Sequence, residues 1–316
     1  MRVTLKTRFW LNTVLVLIAV ILAAVLYFKP GEKKPAPFAL LTQLQNAAVH
    51  DIKIVQPDTA SVELTRINGV WQMTAPVKVR ADQFEVTSLL DSVRTDVKSS
   101  FTAKASDLAK YGLAPPKLQL WLNGTEFDLG DTEPVDNYRY VLSGGQVQLI
   151  NGMLFFRAGH GPYWWVSKRL LPEGATISAI QLPYASLTLQ DAKWQLAPAD
   201  PTVSSDAINT LVENWQDAEA IGTEKIGSTQ SGGEVAIQIS GETAPIRFAI
   251  LKDPNFFVLA RPDLGIEYQL AASQRAELLE FKNPTLAPST ETAKLPTTHS
   301  PPAHASSRHP PAKSRL

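Results

Sequence analysis

Histidine is the side chain best able to relay protons near neutral pH, and the sequence offers two before residue 283, His50 and His160. His160 stands in Gly159-His160-Gly161-Pro162, just ahead of Tyr163, Trp164 and Trp165. That setting suits a base or ligand in a cleft, or a polar residue in a turn. The Gly and Pro neighbours favour the turn. A Ser-His-Asp relay needs a nucleophile beside the base, and the chain carries no Gly-x-Ser-x-Gly, no His-Glu-x-x-His and no phosphate-cradling Gly-x-x-x-x-Gly-Lys-[Ser/Thr]. His299, His304 and His309 recur every five residues near the C-terminus, but a Pro-rich setting gives a metal no fixed geometry. Glu126, Asp128, Asp131, Glu133 and Asp136 gather around one hairpin without the spacing of a calcium loop, so they read as a solvated hairpin end. The absence of cysteine removes thiolate ligands, cysteine nucleophiles and disulfides. The expectation is a protein that is not an enzyme and uses no metal or cofactor.

Binding is the chemistry that remains. Tyr163, Trp164 and Trp165 are followed at once by Lys168 and Arg169. Aromatic rings stack on sugars or anchor a partner, and equally they plug a joint as core. The basic pair suits lipid phosphates or an acidic partner face, or is simply solvated. Tyr163, Trp164, Trp165 and Arg169 are the candidate binding residues.

Elements must hold this cluster in place. Residues 9–28 are apolar apart from Asn12 and Thr13, with Phe9 and Trp10 at one end and Tyr27 and Phe28 at the other. Twenty helical residues match the hydrocarbon thickness of a bilayer, and aromatics at both ends form an interfacial belt. The run is longer than a signal peptide's apolar region and lacks a small-x-small end, so an uncleaved anchor is expected. Arg2, Lys6 and Arg8 balance Lys29, Lys33 and Lys34. Long domains translocate with little regard to charge, which places the N-terminus in the cytoplasm and the body in the periplasm of a bacterial inner membrane. Lys and Arg equal Asp and Glu at 30 each over the chain, but from Pro35 to Asn283 there are 20 basic and 28 acidic residues. An acidic body has no footprint for nucleic-acid backbone, which excludes that partner.

The chain also resembles itself. Ile54–Pro76 parallels Ile180–Pro198: Trp71-Gln72-Met73 matches Trp194-Gln195-Leu196, each with a proline soon after. Asp82 and Ser204 then stand as helix N-caps. Val86, Leu89, Leu90, Val93 and Val97 follow at helical spacing in one copy, with Glu85 closing a capping box. In the other copy the helical face is Ile208, Leu211, Val212 and Trp215. Alternating strands follow in both, 118–122 beside 235–239, then three more pairs ending at 146–150 and 267–271. Each unit reads as three strands, a helix, a loop and a four-strand meander. The fold class is α+β: a transmembrane helix, then two tandem pseudo-repeats, each an antiparallel sheet with a packed helix. The expected order is a cytoplasmic tail (1–8), the span (9–28), a spacer (29–45), repeat one (46–158), an aromatic linker (159–175), repeat two (176–283) and a disordered Pro-rich tail (284–316).

Trp71 to Pro76, the Ala81-Asp82 helix start, the Tyr111-Gly112-Leu113 turn with Pro115-Pro116, and Leu129-Gly130 before Tyr138-Arg139-Tyr140-Val141 resemble a bacterial family, domain of unknown function 4340. The resemblance is strongest from Val55 to Leu171. It implies a single-pass envelope protein, similar in some members to parts of gliding-type ABC transport systems, and brings no catalytic residues. The expected function is a non-catalytic accessory or scaffold protein of an envelope machine, with a transporter subunit or similar envelope protein as partner. Two alternatives stand beside it: a periplasmic module binding a glycan or lipid headgroup, and an envelope hydrolase using His160 or the carboxylates.

Overall fold

The computed structural model describes residues 5–28, 39–227 and 231–282. Most of the expected spacer and the Pro-rich tail with its three histidines lie outside the described residues. Helix α1 (Leu5–Phe28) runs for 24 residues and begins ahead of the expected span. Its side chains are described only at Trp10 and at 13–24, and among the described residues no helix is long and apolar enough to cross a membrane.

The body is mixed α+β with two antiparallel sheets. The first half contains β1 (Asp51–Val55), β2 (Val62–Ile67), β3 (Val70–Ala75), β4 (Val79–Arg80), α2 (Gln83–Val93), β5 (Ser99–Phe101), β6 (Leu118–Leu122), β7 (Thr125–Thr132), β8 (Arg139–Ser143), β9 (Gln146–Ile150) and α3 (Met153–Ala158). The second contains β10 (Ile177–Gln181), β11 (Ser186–Gln190), β12 (Lys193–Ala197), α4 (Ser205–Asp217), β13 (Gly222–Lys225), β14 (Ser231–Ile239), β15 (Ile246–Leu251), β16 (Phe257–Arg261), β17 (Ile266–Leu270) and α5 (Gln274–Leu279). The first sheet runs β4-β3-β2-β1-β6-β7-β8-β9-β5 and the second β12-β11-β10-β14-β15-β16-β17-β13. Apart from β4, the two orders are the same. Strands β5 and β13 were not expected; each follows its helix in sequence but pairs at the far edge, beside β9 or β17.

Local chemistry explains the elements. In β6, Leu118, Leu120 and Leu122 are buried while Gln119 and Trp121 on the other face are half-buried, as period-2 alternation requires. The β6–β7 hairpin turns on Asn123 and Gly124, both at positive φ, which matches the twist of the strands. The Asp82 carboxylate caps α2 by accepting from Phe84 N (3.0 Å) and Glu85 N (3.1 Å). Glu85 does not close the expected capping box: the Asp82 N–H donates to the Trp165 carbonyl instead (2.8 Å). Ser204 caps α4 through Ala207 N (3.1 Å), and Ile208, Leu211, Val212 and Trp215 are buried below it. The short helices α3 and α5 lie against α2 and α4 respectively. The Trp215 indole donates to the Leu278 carbonyl of α5 (2.8 Å). One apolar core runs through both halves, from Ile52 and Leu120 through Trp165 to Phe248 and Leu270.

Candidate functional site

The aromatic segment between the halves is a tie that pairs with both of them. Pro162–Trp165 is a 3₁₀ turn, opened by proline at its first position. Beyond it the chain is extended and pairs on both sides. Asp82 N donates to the Trp165 carbonyl and Ser167 N to the Arg80 carbonyl (2.8 and 2.9 Å), which joins it to the first half. Ala220 N donates to the Lys168 carbonyl and Leu170 N to the Ala218 carbonyl (2.8 and 3.1 Å), which joins it to the second. Within one turn, neighbouring rings part company. Trp165 is buried in the common core (1% exposed), while Trp164 keeps 37% exposure.

Tyr163 and Trp164 line a cleft of about 480 Å³ with His160, Lys168, Thr223 and Lys225. His160 stacks on Trp164 with centroids 4.0 Å apart and planes within 13°. The Lys168 ammonium lies 5.2 Å from the same ring, within cation–π range. Lys168 also pairs with Asp82 (3.1 Å) and Glu85 (3.7 Å), and Glu85 meets Arg157 (3.6 Å), so the joint holds a partly buried charge network. Burial pushes the His160 imidazole below its ordinary value; the Glu85 charge opposes this and Arg157 adds to it. Its Nε2 is buried and meets no hydrogen-bond partner among the described residues. Arg169 stands apart in a second cleft, donating to the Gln216 carbonyl (3.2 Å) and to Asp217 (3.4 Å). Tyr163, Trp164 and Arg169 therefore sit at two surfaces, and Trp165 at neither.

The hairpin carboxylates serve their own hairpins. Glu126 and Asp128 both accept from the Gln119 amide (3.0 and 2.9 Å), and Glu133 accepts from Val135 N and Asp136 N (3.0 and 2.8 Å). Among the described residues no three His, Asp or Glu side chains converge as metal ligands would.

A further surface was not singled out from sequence: the open edge of the second sheet. In a two-residue hairpin the pair next to the turn is hydrogen-bonded and the following pair is not. Trp71 faces Arg66 and Trp194 faces Leu189, one step beyond the Ile67–Val70 and Gln190–Lys193 pairs. Both tryptophans therefore turn their main-chain N–H and C=O outward. In the first half these groups are satisfied. Trp71 N donates to Gln83 Oε1 (2.8 Å), and its carbonyl accepts from Gln83 Nε2 and from Ala81 N (both 3.0 Å). Strand β4 then pairs with Gln72 and Met73. In the second half no strand lies outside β12 among the described residues. Trp71 and Met73 are buried, whereas Trp194 and Leu196 are half-buried.

No curated protein and no solved structure matches the chain. The profile of the family described as Domain of unknown function (DUF4340) matches residues 71–230, half of the chain, from β3 through the tie to the approach of β14. The residues that carried the resemblance are framework. Trp71 is core, Asp82 is a cap, and Gly112 ends a 3₁₀ turn at φ +65°. Gly130 passes so close to the Tyr111 carbonyl that a Cβ there would lie 2.1 Å from it, which ties the Tyr-Gly-Leu turn to the hairpin. On this match the chain belongs to the DUF4340 family.

Proposed function

We propose that this chain is a non-catalytic accessory protein of a bacterial envelope machine, anchored in the inner membrane by α1 with its body in the periplasm, and that it docks a partner protein by strand addition at β12. The observation that carries the reading is the difference between β3 and β12. An extended antiparallel segment of a partner would meet the outward main-chain groups of Trp194 and Leu196 and cover their side chains, as Gln83 and β4 do in the first half. Affinity would come from the main-chain ladder and specificity from the two half-buried side chains. An envelope subunit, such as the membrane part of an ABC-type transport system, is the partner expected.

The anchor rests on exposure. Leu15, Val16, Leu17 and Ile18 are all exposed, and four consecutive helical residues turn through a full circle. No single face of α1 is turned to the body there. A helix that is apolar all round needs an apolar medium, and a bilayer supplies it. A reporter fused behind residue 283 should be active in the periplasm; activity confined to the cytoplasm would reverse the orientation.

The docking test is a photo-crosslinking residue at Gln195 in intact cells, with one at Thr74 of the covered edge as control. A covalent adduct to an envelope protein from position 195 alone is expected. No adduct there, or the same adduct from both positions, would remove the strand-addition reading.

A second reading, a glycan or lipid-headgroup module, has one observation behind it: Trp164 lines a concave surface where the halves meet. Its ring already contacts His160 and Lys168, which leaves less of it free for a sugar.

A further inference from the structure

The second cleft lies between the two sheets and encloses about 620 Å³, within the range of small-molecule sites. It shares no lining residue with the Trp164 cleft. Its walls are the β2–β3 hairpin with β4, the tie from Ser167 to Pro172, and strands β15 to β17. Four cations line it, Lys78, Arg80, Arg169 and Arg261, and no carboxylate does among the described residues. The surrounding body carries 28 acidic against 20 basic residues. A carboxylate-free pocket with four cations is thus the reverse of its surroundings.

The cations are not neutralised from within. Arg80, Arg169 and Arg261 pair with Glu173, Asp217 and Asp263, whose side chains are 69%, 84% and 58% exposed and lie outside the lining. The Arg80 and Arg169 pairs, with such exposed partners, are screened and weak, whereas Asp263 holds the Arg261 guanidinium by two hydrogen bonds (2.9 and 2.7 Å). Lys78 has no ion pair among the described residues, and the Arg169 Nε is buried without a hydrogen-bond partner. The rest of the lining is largely apolar: Ile67, Val70, Leu171 and Leu264 are part of it. Cations beside an apolar floor match a ligand with an anionic group on an apolar chain.

We infer that this inter-sheet cleft is a binding site for an anionic amphiphile. The anionic group meets Lys78 and Arg169, and the apolar chain lies along Ile67, Val70 and Leu264. The site is separate from β12 and does not depend on docking there.

The test uses the full-length protein in phosphatidylcholine nanodiscs, titrated calorimetrically with dihexanoyl phosphatidic acid, a short-chain anionic amphiphile. Dihexanoyl phosphatidylcholine and inorganic phosphate are titrated in parallel. Saturable binding of the phosphatidic acid is expected, with both controls much weaker. Lys78→Gln and Arg169→Gln should each weaken it roughly tenfold, as loss of a charge-assisted contact does. Lys78 is exposed, so its variant tests the site without disturbing the fold. Absence of saturable binding, equal affinity for the zwitterionic lipid, equal affinity for inorganic phosphate, or unchanged affinity in Lys78→Gln would each overturn the assignment. None of these results bears on the Gln195 crosslink, so the two ideas fail separately.

Discussion

Strands β3 and β12 carry almost the same residues, Trp-Gln-Met and Trp-Gln-Leu, at the same place in two sheets of the same order. Their surroundings differ. After β3 the chain makes β4, and α2 begins with Gln83, whose amide meets both main-chain groups of Trp71. After β12 the chain goes to α4 without such a strand, and among the described residues no side chain takes the part of Gln83. One edge is sealed by its own chain, and the other is not covered by any strand among the described residues. Open edges are a liability that proteins usually blunt with charge, proline or cover. Lys193 at the head of β12 and Pro198 just past its end limit this one to five residues. An edge of five residues is short, which blunts its tendency to pair unspecifically.

A matched pair of truncations measures how far the two edges differ. Trp71→Ala should cost about 3–5 kcal/mol, as removal of a buried aromatic does. Trp194→Ala should cost about half of that or less, because its ring is already partly in water. Urea unfolding of the two variants measures both. Equal costs would mean that β12 is covered as β3 is.

Gln83→Leu removes the acceptor of Trp71 N and one of two donors to its carbonyl, while Ala81 N remains. The expected cost is about 1–3 kcal/mol for the orphaned group. Hydrogen exchange gives the more direct reading. In the parent protein the Trp71 amide should be protected and the Trp194 amide should exchange fast. In Gln83→Leu the first should move towards the second. A Trp194 amide as slow as Trp71 would show that its edge is not free.

The Trp-Gln match with a proline soon after it, the alternating leucines of β6 and the capped faces of α2 and α4 were legible because periodicity and capping are local chemistry. Strands β5 and β13, Ser-Ser-Phe and Gly-Thr-Glu-Lys, were not, since neither alternates and each is made a strand by a partner more than forty residues away. Helices α3 and α5 have six residues each, too few to show a helical period. Trp164 and Trp165 are indistinguishable as letters, and only the tight turn sends one to the cleft and the other to the core. Glu85 looked like the third residue of a capping box, but Lys168 and Arg157 from the tie and α3 draw its carboxylate away. The four cations of the inter-sheet cleft come from three distant places in the chain, Lys78 with Arg80, Arg169, and Arg261, so nothing in their spacing marks them.

His160 sits at the joint that both halves share. His160 has a folded value below its ordinary 6.5, with burial as the main cause. The unfolded chain therefore holds more protons between the two values, and stability rises with pH there. His160 contributes fully above about 6.5 and loses that contribution as pH falls below it. His160→Phe keeps a ring for Trp164 to stack on and has nothing to protonate. Between about pH 7 and about pH 5 the parent should lose more thermal stability than His160→Phe, by a margin of a few degrees at most. Because one apolar core runs through both halves, the loss should appear as a shift of one transition reported alike from Trp71 and Trp194. If acid instead splits the transition in the parent and not in His160→Phe, the stacked joint rather than the common core is what couples the sealed half to the open one. The open edge would then be free to move with its own half when a partner strand arrives.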